Sequence, residues 1–231
     1  MDTGIARRLA SVRARIAAAA ERVGRDPREV TLVAVGKTWP AEVVAEAVRA
    51  GADHVGENRV QEAAGKRPHV PPATWHLIGP LQRNKARRAL EVFHVIHTID
   101  RPRIVERLQS LLAEDWPGRK LPVYLEVNVG GEPQKAGVRP EGVEELARLV
   151  LGAESLELRG LMCIPPHEPD PEASRPHFRK LAALRDGLQQ ALGRPVPGLS
   201  MGMSHDFEVA VEEGATVVRV GTAIFGPRRT P

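Results

Sequence analysis

Lys37 directly follows a short apolar run, Val30-Thr31-Leu32-Val33-Ala34-Val35-Gly36, rich in β-branched residues. Such a run reads as a strand buried on both faces. A lysine at its end meets a desolvated setting, where an amine's pKa falls toward neutrality and the free base can form a Schiff base with a carbonyl. The competing reading is a lysine whose stem is buried while its ammonium reaches water. A second group of residues suits an anion: Ser200-Met201-Gly202-Met203-Ser204 and Gly221-Thr222-Ala223-Ile224-Phe225-Gly226. Small hydroxyl and glycine residues let backbone N–H groups approach a phosphate, and a helix N-terminus favours its charge. Serine and glycine equally suit ordinary turns and caps. The third feature is Arg219, two residues before Gly221 and so on the same face of its strand. In a barrel interior its charge requires a partner; on the helix side it is a structural ion-pair residue.

The elements that must carry these residues alternate strictly. Ile5, Leu9, Val12 and Ile16 are apolar at helical spacing, and Gly24 closes a leading helix. Strands are expected at 30–36, 54–57, 75–79, 95–99, 121–129, 158–164, 199–203 and 216–221. Helices are expected between them, over about 40–51, 58–66, 82–91, 101–112, 140–151, 173–192 and 205–213. Alternation of this kind implies parallel strands with crossover helices. Eight units close into a (β/α)8 barrel of the TIM type, with an extra N-terminal helix. An open doubly wound sheet is the structural alternative, but no GxGxxG follows the first strand and no P-loop appears. No linker, low-complexity tract or repeat divides the chain, so residues 1–231 read as one barrel domain, residues 1–24 being the leading helix. Active sites of such barrels lie at the strands' C-terminal ends. That rule selects Lys37, Glu57-Asn58, Gly79-Pro80, Asp100, Asn128, Pro165-Pro166, Ser204 and Gly221-Thr222.

Composition excludes several classes. The chain has 231 residues, 42% hydrophobic and 27% charged, too apolar for disorder. Its net charge of +4 is small beside 33 basic and 29 acidic residues, and aromatics are only 3%. A nucleic-acid surface clusters basic residues with stacking aromatics between them. The basic run Lys85-Ala86-Arg87-Arg88 reads as a solvated helix face. The single cysteine, Cys163, allows no intrachain disulfide and supports no thiolate zinc cluster. It sits in an apolar run and reads as a small core residue. No signal-peptide order and no membrane-length apolar stretch is present. A soluble cytoplasmic protein with no metal, nucleic-acid or membrane partner is the expectation.

A lysine nucleophile, a phosphate cradle and an arginine across one barrel mouth suit pyridoxal 5'-phosphate, which offers an aldehyde, a phosphate and a ring nitrogen. A phosphorylated-sugar isomerase remains open on these residues alone.

At these same residues the sequence resembles the pyridoxal phosphate homeostasis proteins, single-domain relatives of the alanine racemase barrel. The motifs run through almost the whole chain: Val35-Gly36-Lys37-Thr38, Gly56-Glu57-Asn58-Arg59-Val60-Gln61-Glu62, Trp75-His76-Leu77-Ile78-Gly79-Pro80-Leu81-Gln82-Arg83-Asn84-Lys85, Thr98-Ile99-Asp100-Arg101, Lys135-Ala136-Gly137, Arg159-Gly160-Leu161-Met162, Leu199-Ser200-Met201-Gly202-Met203-Ser204 and Arg219-Val220-Gly221-Thr222-Ala223-Ile224-Phe225-Gly226. The resemblance implies a fold-type III barrel for pyridoxal phosphate, without a C-terminal β domain. It implies that Lys37 carries the internal aldimine and that Ser200, Ser204, Gly221 and Thr222 hold the phosphate. Arg219 then faces the pyridine nitrogen and Asn58 lines the pocket; His76 reads as a buried, satisfied histidine. Three positions depart from the family's usual pattern: Gly36 where serine is common, Arg59 where tyrosine is common, and His205 where an acidic or small polar residue is common.

The resemblance also bears on catalysis. An arginine beside the ring nitrogen disfavours its protonation and weakens the ring as an electron sink. Racemase relatives draw a second base, a tyrosine, from a C-terminal β domain of the partner subunit. With the sequence ending at Pro231, that domain is expected to be missing. The only tyrosine, Tyr124, is expected inside the fifth strand, out of hydrogen-bond reach of a substrate. The expectation is a monomeric carrier or buffer of pyridoxal phosphate that serves apoenzymes and is not itself catalytic. The alternative is a weak amino-acid racemase or another enzyme dependent on the same cofactor.

Overall fold

Every strand of the expected set forms, and together they close. In a computed structural model, which describes residues 4–227, the sheet runs β1-β2-β3-β4-β5-β6-β7-β8 as a closed barrel. The strands are β1 Thr31–Val35, β2 His54–Glu57, β3 Thr74–Leu77, β4 Val95–Ile99, β5 Leu121–Glu126, β6 Leu156–Met162, β7 Gly198–Ser200 and β8 Val217–Val220. All the pairings are parallel, and β1 closes on β8 with Val33 opposite Arg219. Residues 1–3 and 228–231 of the expected 1–231 domain lie outside the described residues.

The helices are α1 Ile5–Arg22, α2 Ala41–Arg49, α3 Val60–Lys66, α4 Ala86–Val92, α5 Pro102–Asp115, α6 Val143–Gly152, α7 Arg175–Leu192, α8 Phe207–Glu212 and α9 Thr222–Phe225. The leading helix α1 buries Ile5, Leu9, Val12, Ile16, Ala19 and Ala20 on one face, against α8 and α9. Each large aliphatic side chain so buried contributes roughly 1.5–3 kcal/mol. Arg15 fixes the contact with a two-pronged hydrogen bond to Glu208, at 3.1 and 2.7 Å.

Differences from the expected boundaries have local causes. The fifth strand stops at Glu126 because Asn128 turns the chain, its amide Nδ2 donating to the Glu132 carbonyl at 2.8 Å. The seventh stops at Ser200 because Gly202 is left-handed, with φ of 90°. The seventh helix begins at Arg175, after a 3₁₀ turn over Pro171–Ser174 capped by Asp170. The four-residue α9 is too short to leave a periodic signal.

The apolar core divides in two. The large cluster lies between strands and helices, and a small one of Val33, Tyr124, Met162 and Val217 lies inside the barrel. Polar groups share the barrel interior: His76, His97, Ser200 and Arg219 are all buried there. Among the described residues, no helix is long and apolar enough to cross a membrane.

Candidate functional site

The carboxyl ends of β1, β2, β7 and β8 surround one cavity of about 350 Å³. Lys37, Asn58, Ser204, Arg219, Gly221 and Thr222 all line it. The residues expected at the site therefore converge, with one exception. Ser200 is fully buried behind the wall, where its hydroxyl meets Arg219 and His97. Two other depressions, of about 380 Å³ around Arg13 and His54 and about 560 Å³ around Arg83 and Arg107, carry no lysine at a strand end.

Lys37 sits in a tight turn. The Trp39 N–H donates to the Gly36 carbonyl at 3.1 Å, and Thr38 between them is left-handed, with φ of 70°. A β-branched residue in that region stores strain of order 1–3 kcal/mol, which its surroundings must hold in place. Trp39 stacks on Phe225 of α9, with ring centroids 6.1 Å apart. From below, the Lys66 ammonium donates to the Gly36 carbonyl at 2.9 Å and to Glu57 Oε1 at 2.6 Å. Burial pushes the Glu57 carboxyl pKa up, against the pull of that Lys66 bond. Asn58 is placed by a close approach: a Cβ on Gly79 would lie 2.4 Å from the Asn58 carbonyl oxygen.

The opposite wall is held by Ser204. Its Oγ accepts from the backbone N–H groups of Gly221 at 3.0 Å and Ala223 at 3.3 Å, tying the β7 loop to the start of α9. Gly202 makes the loop possible, since a Cβ there would lie 2.5 Å from that of Ala210. Arg219 lies in the barrel interior, which resolves the two readings of its strand face. Its guanidinium donates to Ser200 Oγ at 2.7 Å and to the Cys163 carbonyl at 2.9 Å. Burial lowers its pKa, yet a guanidinium remains a cation.

Three further expectations have an outcome here. His76 is buried and paired on both sides with His54 and His97, away from the cavity. Tyr124 stacks on His97 inside the barrel, 4.5 Å between centroids, and burial raises its pKa. Within the basic run, Arg87 pairs with Glu114 and Asp115 and Arg88 with Glu91.

Of the three departures, His205 reaches the cavity, edge-on to His167 at 5.7 Å, while Arg59 is exposed and paired with Glu62. Sequence reasoning missed His167, Trp39, Ile78 and Ile164 as lining residues. It also missed Glu126, whose buried Oε2 has no hydrogen-bond partner and whose pKa burial and Asp100 raise to about 7. Position at a strand's carboxyl end was the signal available for Glu126.

With this geometry in hand, likeness to known proteins is informative. Residues 8–229 match the family described as alanine racemase, N-terminal domain. The chain is 47% identical over 226 residues to the pyridoxal phosphate homeostasis protein of Pseudomonas aeruginosa, covering 97% of this chain and 96% of that one. It is 44% identical over 224 residues to the protein of that name from Aquifex aeolicus, covering 96% and 97%. Among solved structures it is similar to PipY of Synechococcus elongatus with PLP bound, at 38% identity and a TM-score of 0.83, covering 96% of this chain and 100% of that one.

Proposed function

The chain belongs to the pyridoxal phosphate homeostasis proteins of the alanine racemase N-terminal domain family, and on that premise we propose that it binds pyridoxal 5'-phosphate at the carboxyl end of the barrel and takes part in intracellular homeostasis of that cofactor. One observation carries the reading. Lys37, the Arg219 guanidinium and the Ser204–Gly221–Thr222 wall share a single cavity of about 350 Å³. The donor set fits the group: an amine for an aldehyde, hydroxyl and backbone N–H groups for a phosphate, and a cation between them. The relatives' name and the PLP-bound PipY structure support it.

When bound, the cofactor supplies an electrophilic aldehyde carbon on an electron-withdrawing ring. Lys37 would hold it covalently through its side-chain amine, the group in this wall suited to an aldehyde. Ser204, Gly221 and Thr222 would hold the phosphate, and Asn58 would line the ring's edge. Ser200 acts from behind, through Arg219, in this reading. Arg219 would present fixed positive charge to the ring and disfavour protonation of its nitrogen.

The role is that of a carrier rather than a catalyst. Two-base racemisation needs an acid–base group on each face of a substrate. The one tyrosine, Tyr124, is instead stacked on His97 within the barrel. The reading also has the chain as a cytoplasmic monomer that releases its cofactor to dependent apoenzymes.

Restoration of an apoenzyme's activity by the loaded protein, faster than by spontaneous release into buffer, is the expected outcome of a transfer assay. Steady racemisation of alanine or serine above the free-cofactor rate would overturn the carrier role.

A further inference from the structure

Three histidines and a serine form a continuous hydrogen-bonded column through the barrel. His54 Nδ1 lies 3.0 Å from His76 Nε2, and His76 Nδ1 lies 2.9 Å from His97 Nε2. His97 Nδ1 lies 2.8 Å from Ser200 Oγ, which accepts from the Arg219 guanidinium at 2.7 Å. The column starts at the amino end of β2, crosses β3 and β4, and ends on β7 and β8. His76, His97, Ser200 and Arg219 are all buried. His54 is half-buried, in the basal depression it shares with Arg13, Arg28 and Asp53.

The order of donors along this column follows from its upper end. A guanidinium only donates, so Ser200 Oγ accepts from Arg219. The serine's own hydrogen then has one acceptor in its bonding set, His97 Nδ1. A neutral imidazole carries one hydrogen, so His97 is the Nε2–H tautomer and donates to His76 Nδ1. His76 is the Nε2–H tautomer in turn and donates to His54 Nδ1. His54 carries its hydrogen on Nε2, toward the base.

We infer that His54, His76 and His97 are positioning residues for Arg219: neutral and ordered in this direction, they fix the Ser200 hydroxyl as the acceptor that holds the guanidinium at the cavity wall. The inference rests on the proposed function only for what Arg219 then meets in the cavity.

An added proton disrupts the order. A doubly protonated His54 presents N–H to His76, and the clash is removed only if His76 and His97 both shift to Nδ1–H. Ser200 would then accept from His97 as well as Arg219, and its own hydrogen would lose its acceptor. The groups facing His54 are Asp53 beside it, His76 from β3, Arg13 from α1 and Arg28 from the turn before β1. Asp53 favours the cation, and burial opposes it more strongly. His76 faces His54, His97 and, at longer range, His94; its pKa is lowered to about 3, chiefly by burial. His97 faces His76, Tyr124, Ser200 and Arg219, and burial lowers its pKa well below the usual value. The two inner rings are therefore neutral, and His54 is the member that takes up a proton first.

The test is imidazole ¹⁵N NMR of the full chain without cofactor, alongside cofactor affinity as a function of pH. The expected spectrum has Nε2–H tautomers at His54, His76 and His97 at neutral pH, with His54 alone titrating while the fold persists. An Nδ1–H tautomer at either inner ring, or an imidazolium there at neutral pH, overturns the inference. His54→Asn keeps an acceptor oxygen at the Nδ1 position for His76 but takes up no proton. Wild-type affinity for pyridoxal phosphate should fall further than that of H54N on going from pH 7.5 to 5.5, by up to about tenfold, the limit for one group whose pKa lies below 6.5. Every other titrating group is shared, so superimposable profiles would also overturn it. The tautomer readout needs no cofactor: a chain that shows the ordered tautomers but binds no cofactor contradicts the proposed function and leaves the column's order standing.

Discussion

Arg219 and Ser200 share a hydrogen bond of 2.7 Å inside the barrel, so the cation at the cavity wall is held from behind rather than from the cavity. The bond is also where the polar interior joins the candidate site. Removing the serine oxygen leaves the guanidinium with the Cys163 carbonyl alone and deprives His97 of its donor. Ser200→Ala should cost about 1–3 kcal/mol in urea unfolding, the range for an unsatisfied buried polar group. Ser200→Thr keeps the oxygen and should recover part of that loss. Equal losses in both variants would show that packing, not the hydroxyl, matters here.

Gly36 and Val44 form a matched pair. A Cβ at position 36 would lie 2.7 Å from Val44 Cγ2, so a serine there requires the Val44 side chain to give way. Gly36→Ser should destabilise by about 1–3 kcal/mol, the usual cost of overpacking. Val44→Ala in the same chain should relieve it. The coupling energy of that double-mutant cycle is the measurement, and strict additivity would contradict the account.

Glu126 gives a pH dependence of known sign. Burial and Asp100 raise its pKa from 4.5 to about 7. Between those values the folded chain holds a proton that the unfolded chain has released, so stability falls as pH rises through this window and stays lost above it. Glu126→Gln should therefore stabilise the protein at pH 8 by roughly 1–3 kcal/mol and do little at pH 4.5. Denaturant melts at the two pH values check this, and equal effects at both would refute it.

The histidine column gives the opposite slope. Its rings are neutral in the fold, whereas free histidines take up protons below about pH 6.5. The unfolded chain then binds more protons, so stability is full above that pH and declines as pH falls toward the lowered folded values. For His76, lowered to about 3, the loss should reach roughly 2 kcal/mol by pH 5. His76→Gln should flatten the stability profile between pH 7 and 5, read by thermal melts. An unchanged slope would mean that His76 is not neutral in the fold.

What the sequence revealed and what it hid have a common physical origin. Lys37, Ser204 and Gly221 were legible because a strand's end is marked locally, by an apolar run meeting a polar or small residue. Arg219 was legible as a charge on a strand, but its face was not, because closure of the barrel decides which side is interior. The column was hidden although its members stand in plain view: three successive strands each carry one histidine, His54, His76 and His97. Their contact depends on the stagger between strands, with Gly56 rather than His54 opposite His76. Single-strand patterns hold no record of that stagger. Ser200 illustrates the same limit, since its loop was legible but its inward side, toward Arg219, was not.

The account's central claim is that Lys37 holds the cofactor covalently at this cavity. Borohydride reduction of the loaded protein, followed by peptide mapping, tests it most directly. A pyridoxyl adduct confined to the peptide bearing Lys37, with its visible band near roughly 420 nm lost in Lys37→Ala, is the result the account predicts. An adduct on another lysine, or a Lys37→Ala protein that keeps the band until borohydride reduces it, would contradict it.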